Sequence, residues 1–201
     1  MELDHLFEGI PEFEDVVTKV APQSRQLVTG LSGSAKTMFI NGIYKQLNQP
    51  MIIVTDTLAH ADQLTADLAN LVPDDQLFEF PVEEIGASEL ATSSPEYKAL
   101  RVLALNQLAD GSPAVIVTSV SGIRRILPTK GQFEDAKLMI STGDEFDLAE
   151  LKLKLHQMGY SLQKMVAAPG EFSIRGSILD IYPLSSDNPI RIDFLTPKLI
   201  R

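Results

Sequence analysis

The 201-residue sequence contains no cysteine. Disulfides and thiolate chemistry are therefore excluded, and the absence fits a reducing compartment. Histidine is scarce too. His5, His60 and His156 lie far apart and have no cysteine partners, so no zinc-ligand spacing exists. No apolar run approaches the roughly 18 residues of a membrane-spanning helix. The N-terminus, MELDHLFEGI, is acidic and lacks the basic n-region of a secretory signal. Internal repeats and low-complexity tracts are missing as well. We therefore expect a soluble, cytoplasmic protein with no membrane partner and no bound metal.

Positive charge is in short supply, and unevenly so. The formal net charge is −10. Residues 1–128 carry 8 Lys/Arg against 17 Asp/Glu, whereas residues 129–201 carry 9 against 10. An acidic surface repels a phosphate backbone, so direct nucleic-acid binding is disfavoured for the first part. The second part is nearly balanced and has room for a local basic patch. Apolar residues make up 44% of the chain, enough at this length to build a core without covalent staples.

What is present first is an alternation of strand and helix signals. Residues 4–20 show helical spacing interrupted at Pro11. QLVTG (26–30) reads as a short strand entering the loop GLSGSAKT (30–37), and a helix follows from about Ala35 to Leu47. MIIVTDT (51–57), LFEF (77–80) and AVIVTSV (114–120) read as further strands. Between them lie a helix over about 58–71 and one that Ser94 caps, with Pro95 at its first position. This order predicts a mainly parallel sheet with helices on both faces, over residues 1–128.

The pattern changes near Pro128. KLMIS (137–141) reads as a strand, and a helix capped at Asp147 carries Leu148, Leu151, Leu155 and Met158 on one face before Gly159 ends it. Four short strand candidates follow: QKMVAA, EFSIR, SILDIY and IRIDF, separated by turns at Pro169-Gly170 and SSDNP. Residues 129–201 therefore read as a small α+β unit built on antiparallel hairpins.

GLSGSAKT nearly matches the phosphate-binding pattern G-x-x-x-x-G-K-[ST]. Gly30, Lys36 and Thr37 stand at the required spacing, with Gly33 between, but Ala35 replaces the second glycine. A methyl group there crowds the phosphates that the backbone must approach. A hydrolase of this type also needs an acidic pair at a strand end to hold Mg²⁺ and orient water. AVIVTSV ends in Ser119-Val120-Ser121, MIIVTD offers only Asp56, and Asp144-Glu145 lie too far past KLMIS. The expectation is a vestigial loop without catalysis. Weak nucleotide or anion binding without turnover stays open.

Strand parity singles out two arginines. In EFSIR, Phe172 and Ile174 face one way and Ser173 and Arg175 the other. In IRIDF, Ile190, Ile192 and Phe194 face inward, and Arg191, Asp193 and Leu195 outward. Arginine suits planar capture of carboxylates and interface hot spots. On the residues alone, Arg175 or Arg191 pairs with Asp193 or Asp180 on a solvated sheet. Gly176 serves a bulge or tight bend. His156 reads as structural, Glu83-Glu84 as a solvated loop, and Arg124-Arg125 as a helix-end pair with DNA or another domain as the alternative.

Five stretches, QLVTGLSGSAKTMFI, SPEYKALRVLALNQL, SVSGIRRILP, LHQMGY and APGEFSIRGSILDIYPL, resemble the bacterial transcription-repair coupling factors (Mfd) in their N-terminal module, which is homologous to UvrB. The likeness covers nearly the whole chain, and GEFSIRGSILDIYP is its most specific part. The region PVEEIGASELATSSPEYK has one aromatic residue, Tyr97, where UvrB carries a tyrosine-rich DNA-gripping hairpin. The resemblance implies a P-loop NTPase-like (RecA-like) α/β domain over 1–128. A small α+β unit like the second domain of UvrB follows over 129–201, truncated at its C-terminus. It implies a fragment that is not itself an enzyme and needs no cofactor. In the family the translocase motor that uses ATP and Mg²⁺, and the contacts to RNA polymerase and DNA, lie in parts absent here. The implied partners are UvrA and later domains of the same chain, which hide the UvrA surface. Arginines matching Arg175 and Arg191 contact UvrA in the family. An aromatic residue is common in the family where Leu195 stands, and the leucine is a departure expected to weaken the contact. The competing reading is a P-loop ATPase or helicase fragment of the UvrB type.

Overall fold

The computed structural model describes residues 7, 9–82, 94–144, 146–186 and 188–194. They fall into two compact units, residues 1–89 with 104–125, and residues 90–103 with 126–201.

The first unit is built on three parallel strands, β1 (Met51–Thr55), β2 (Leu77–Phe80) and β3 (Val115–Ser119), in the order β1-β3-β2. β3 lies in the middle and every one of its residues is buried, as its unbroken apolar run requires. Helix α1 (Pro11–Thr18) leads to α2 (Ser34–Leu47), and rings of Phe7, Phe13 and Phe39 join them at centroid distances of 5.3–5.5 Å. α3 (Leu58–Leu68) covers one sheet face with Ala61, Leu64 and Leu68 against Val115 and Val117. The C-terminal half of α4 (Pro95–Asp110) covers the other, where Ala104, Leu105 and Leu108 meet Phe78, Phe80 and Ile116. Capping explains where α3 and α4 start. The Thr57 hydroxyl accepts from the His60 amide at 3.2 Å, and the Ser94 hydroxyl from the Tyr97 amide at 3.2 Å. The short helix α5 (Val120–Ile123) follows β3 directly.

The expected strand at 26–30 does not form. Residues 21–30 are all exposed, and Leu27 is 89% accessible. A strand exists only where a neighbour completes its ladder, and residues 26–30 pair neither with β3, whose two edges are taken, nor with the outer edges of β1 and β2. Two apolar residues, Leu27 and Val28, bring too little burial to fix the segment alone. The chain instead turns at Pro22-Gln23, with Gln23 at φ 66°, and Gln26 donates to the Val16 carbonyl at 2.9 Å. The strand–loop–helix setting expected of a RecA-like domain is thus missing its strand.

The second unit holds α6 (Lys130–Asp135), α7 (Leu148–Gln157) and the strands β4 (Ser161–Leu162), β5 (Glu171–Arg175), β6 (Ile178–Ile181) and β7 (Ile190–Asp193). The sheet order is β4-β5-β6-β7, antiparallel from β5 onward. α7 starts where the Asp147 carboxylate accepts from the amides of Ala149 and Glu150, and its Leu151 and Leu155 pack on Phe172, Leu179 and Ile181. The His156 ring meets the Phe172 ring edge-on at 5.3 Å, a packing role. Thr129 and Gln132 form a reciprocal cap that starts α6, an element the hydrophobic pattern missed.

KLMIS and QKMVAA are not strands. Leu138 and Ile140 do point into the core and Met139 out, but no sheet edge pairs with them. QKMVAA is a loop. The strand before it, β4, is only two residues long and runs parallel to β5.

Candidate docking face on the second unit

The turn between β5 and β6 fixes this face. Gly176 and Ser177 form a two-residue hairpin loop, with Gly176 at φ 61° as a primed turn requires. That loop length aligns Arg175 with Ile178 and Ser173 with Asp180. β7 then brings Arg191 opposite Asp180, and Asp193 opposite Ile178. Phe172, Ile174, Leu179 and Ile192 lie on the other side, in the core with α7. Ile190 shares their parity but is 46% exposed at the sheet end.

Two rows therefore cross the outer face: Ser173–Asp180–Arg191 and Arg175–Ile178–Asp193. In the first, the Arg191 guanidinium grips Asp180 with a fork, Nε to Oδ1 at 2.6 Å and Nη2 to Oδ2 at 3.0 Å. That hydrogen bond holds the Asp180 carboxyl below the usual carboxylate range, and the charges of Arg191 and Arg175 act the same way. Two of the five Arg191 donors are used in this fork, and its side chain remains 68% exposed. In the second row, Arg175 Nη2 donates to the Lys164 carbonyl. Among the described residues Arg175 forms no ion pair, and Asp193 accepts from the Ser177 hydroxyl at 3.0 Å. Of the two carboxylates that the sequence offered, Asp180 takes Arg191 and neither takes Arg175. Leu195 lies outside the described residues, as do Glu83-Glu84 and most of the PVEEIGASELATSSPEYK region.

The phosphate-loop residues are placed as follows. Gly30 and Gly33 have positive φ (84° and 54°), and a side chain at either would meet nothing within 4 Å. Their role is conformational. Gly33 precedes the first residue of α2, Lys36 is exposed in the first turn, and Thr37 is buried. Asp56, the one acidic residue at the end of β1, bonds locally to the His60 ring at 2.6 Å and the Thr57 amide at 3.0 Å. Its carboxyl is lowered chiefly by the His60 bond. Among the described residues no group of three or more His, Asp or Glu side chains is placed to hold a metal. Arg124 and Arg125 are both exposed just after α5. No described helix is long and apolar enough to cross a membrane.

Residues 138–199 match the UvrB interaction domain family. The chain is 40% identical over 174 residues to the transcription-repair-coupling factor of Bacillus subtilis (strain 168), a span of 87% of this chain and 15% of that protein. It is 34% identical over 187 residues to the transcription-repair-coupling factor of Staphylococcus aureus (strain MSSA476), covering 93% of this chain and 16% of that one. The chain thus spans about 15% of the length of the curated relatives it matches. β4 to β7, with Arg175 and Arg191, all fall within the UvrB interaction domain match.

Proposed function

We propose that this homologue of part of the transcription-repair-coupling factors is a non-hydrolysing, UvrB-like docking module that recruits UvrA in transcription-coupled nucleotide excision repair. The observation that carries the reading is the outer face of the β4–β7 sheet. It places Arg175 and Arg191 on one solvated side, inside the segment that matches the UvrB interaction domain. An exposed pair of arginines, one fixed by a carboxylate fork and the other free of any ion pair among the described residues, is suited to a carboxylate-bearing protein surface. Leu195, the third partner residue expected from the sequence, lies outside the described residues. ATP-driven translocation on DNA and the contact to RNA polymerase belong, in this reading, to the remainder of a longer protein, which also covers the docking face until it is needed.

The test is equilibrium binding to purified UvrA. Arg191→Glu is expected to weaken binding by at least about tenfold while the fold persists. Because Asp180 lies directly across, the reversal sets two carboxylates opposite each other. Arg191→Ala is the companion that avoids this repulsion, and unchanged affinity in both variants refutes the site.

A second reading, a P-loop ATPase fragment, draws on one observation: Gly30 and Gly33 curl freely ahead of α2, with Lys36 exposed in its first turn. Ala35, the missing strand at 26–30 and the local engagement of Asp56 weigh against turnover. A fluorescent-nucleotide titration separates the two. The docking reading expects no micromolar Mg-ATP binding, and saturation in that range revives the ATPase.

A further inference from the structure

The loop after β4 is tied down more firmly than a simple connector. The Gln163 amide continues the ladder to the Phe172 carbonyl at 2.8 Å. One Glu171 carboxylate oxygen accepts from the amides of Ala167 and Ala168, at 2.8 and 3.0 Å. Between these anchors, the Lys164 carbonyl receives Arg175 Nη2 and lies 3.5 Å from the buried Ser173 hydroxyl. Both of those side chains stand on the outer face of β5. The loop is therefore clamped onto the docking face at its two ends and in the middle.

The residue that follows the clamped carbonyl is Met165, and it is 74% exposed. Its backbone nitrogen is bonded to the carbonyl carbon whose oxygen holds the Arg175 guanidinium, so the exposed methionine is one peptide bond from the arginine's anchor point. The local charge is positive. Lys164 precedes Met165 and Arg175 is bonded to the Lys164 carbonyl, while the Glu171 carboxylate is engaged by backbone amides and Asp180 by Arg191. An exposed thioether next in sequence to the anchor point of a guanidinium that forms no ion pair among the described residues is the composition of an interface anchor, apolar and adaptable at the centre and cationic at its edge.

We propose that Met165 is the apolar anchor of the docking face, and that the 163–168 loop belongs to the same partner surface as Arg175. This rests on the reading of that face as the UvrA contact. The partner patch it fits carries a carboxylate for Arg175 and, next to it, an apolar recess for the methionine side chain. Charge complementarity selects the first, and continuity with the arginine rows the second.

The experiment measures equilibrium binding of the intact 201-residue chain to purified UvrA. Wild type, Met165→Ala, Met165→Asp and Arg175→Glu are compared, with thermal melts to establish folding. Met165 is exposed, so neither substitution removes a core contact. The expected result is unchanged melting with affinity lowered roughly threefold to tenfold by alanine and more than about tenfold by aspartate. Wild-type affinity in both Met165 variants, alongside a loss in Arg175→Glu, overturns the anchor and leaves the docking reading intact. A folded wild-type chain that does not bind UvrA overturns both. Sedimentation of the same samples addresses the other occupant. A wild-type dimer that Met165→Asp converts to monomer shows that a second copy covers the loop, and refutes the assignment to UvrA.

Discussion

Gly122 marks a point where one methyl group has a calculable cost. A Cβ added there would stand 2.0 Å from the Thr118 Oγ1 and 3.3 Å from the Phe80 carbonyl oxygen. Those two atoms are hydrogen-bonded to each other at 2.7 Å in the buried interior, where Thr118 ties the end of β3 to β2. Gly122→Ala forces the threonine to another rotamer and breaks that bond. Leaving a buried polar pair unmet costs about 1–3 kcal/mol, and forcing a methyl into a packed site costs about the same. Alanine in place of glycine in the short helix α5 returns up to about 1 kcal/mol. The balance is a loss of roughly 1–6 kcal/mol, read as a lower denaturant midpoint at constant slope. In a Thr118→Ala background the 2.0 Å clash is gone and only the 3.3 Å contacts to the residue-118 Cβ and the Phe80 carbonyl remain, so Gly122→Ala costs much less. The double-mutant cycle then shows a coupling that makes up most of that loss. Equal cost in the two backgrounds, or no cost in either, refutes the packing argument.

The remaining predictions concern pH, nucleotide and the docking face. Burial and the neighbouring Asp62 charge push the Glu79 carboxyl up. A carboxyl raised by folding supports stability below its unfolded value of about 4.3, and that support is lost as pH rises through the folded value. Glu79→Gln is therefore expected to stabilise the first unit at pH 7, with the gain vanishing below about pH 4. A gain independent of pH contradicts the assignment. Titration with fluorescent Mg-ATP is expected to show no micromolar site, and Lys36→Ala to change nothing measurable. Met165→Asp is expected to weaken UvrA binding without altering the melt.

The sequence showed some layers of this structure better than others. Caps were plain, because Ser94-Pro95 and Asp147 act on neighbouring amides and need no distant partner. Buried strands were plain where apolar runs were unbroken, as in β3. Short strands that depend on a partner edge were not. QLVTG and KLMIS carry the right alternation, yet no ladder receives them, and QKMVAA leaves the ladder after the Gln163 amide, whereas Ser161-Leu162 pairs with β5 despite having little pattern of its own. On the docking face, parity placed Arg175 and Arg191 outward correctly. It left open which carboxylate Arg191 takes. The Gly176-Ser177 hairpin fixes Asp180 opposite Ser173, and a reading of its two-residue length would have found that pair. The eight-residue connection from β6 to β7 carries no such register, so the Asp180–Arg191 fork needed the fold. The backbone carbonyl of Lys164 as the Arg175 partner leaves no side-chain signal at all.

The deciding measurement is the affinity of this chain for purified UvrA, wild type against the Arg175→Glu/Arg191→Glu double variant, with both shown to be folded. A recruitment module predicts saturable binding by the wild type and its loss in the double variant. Equal binding by the two proteins, or none by a folded wild type, contradicts the account and returns attention to the loop at residues 30–37.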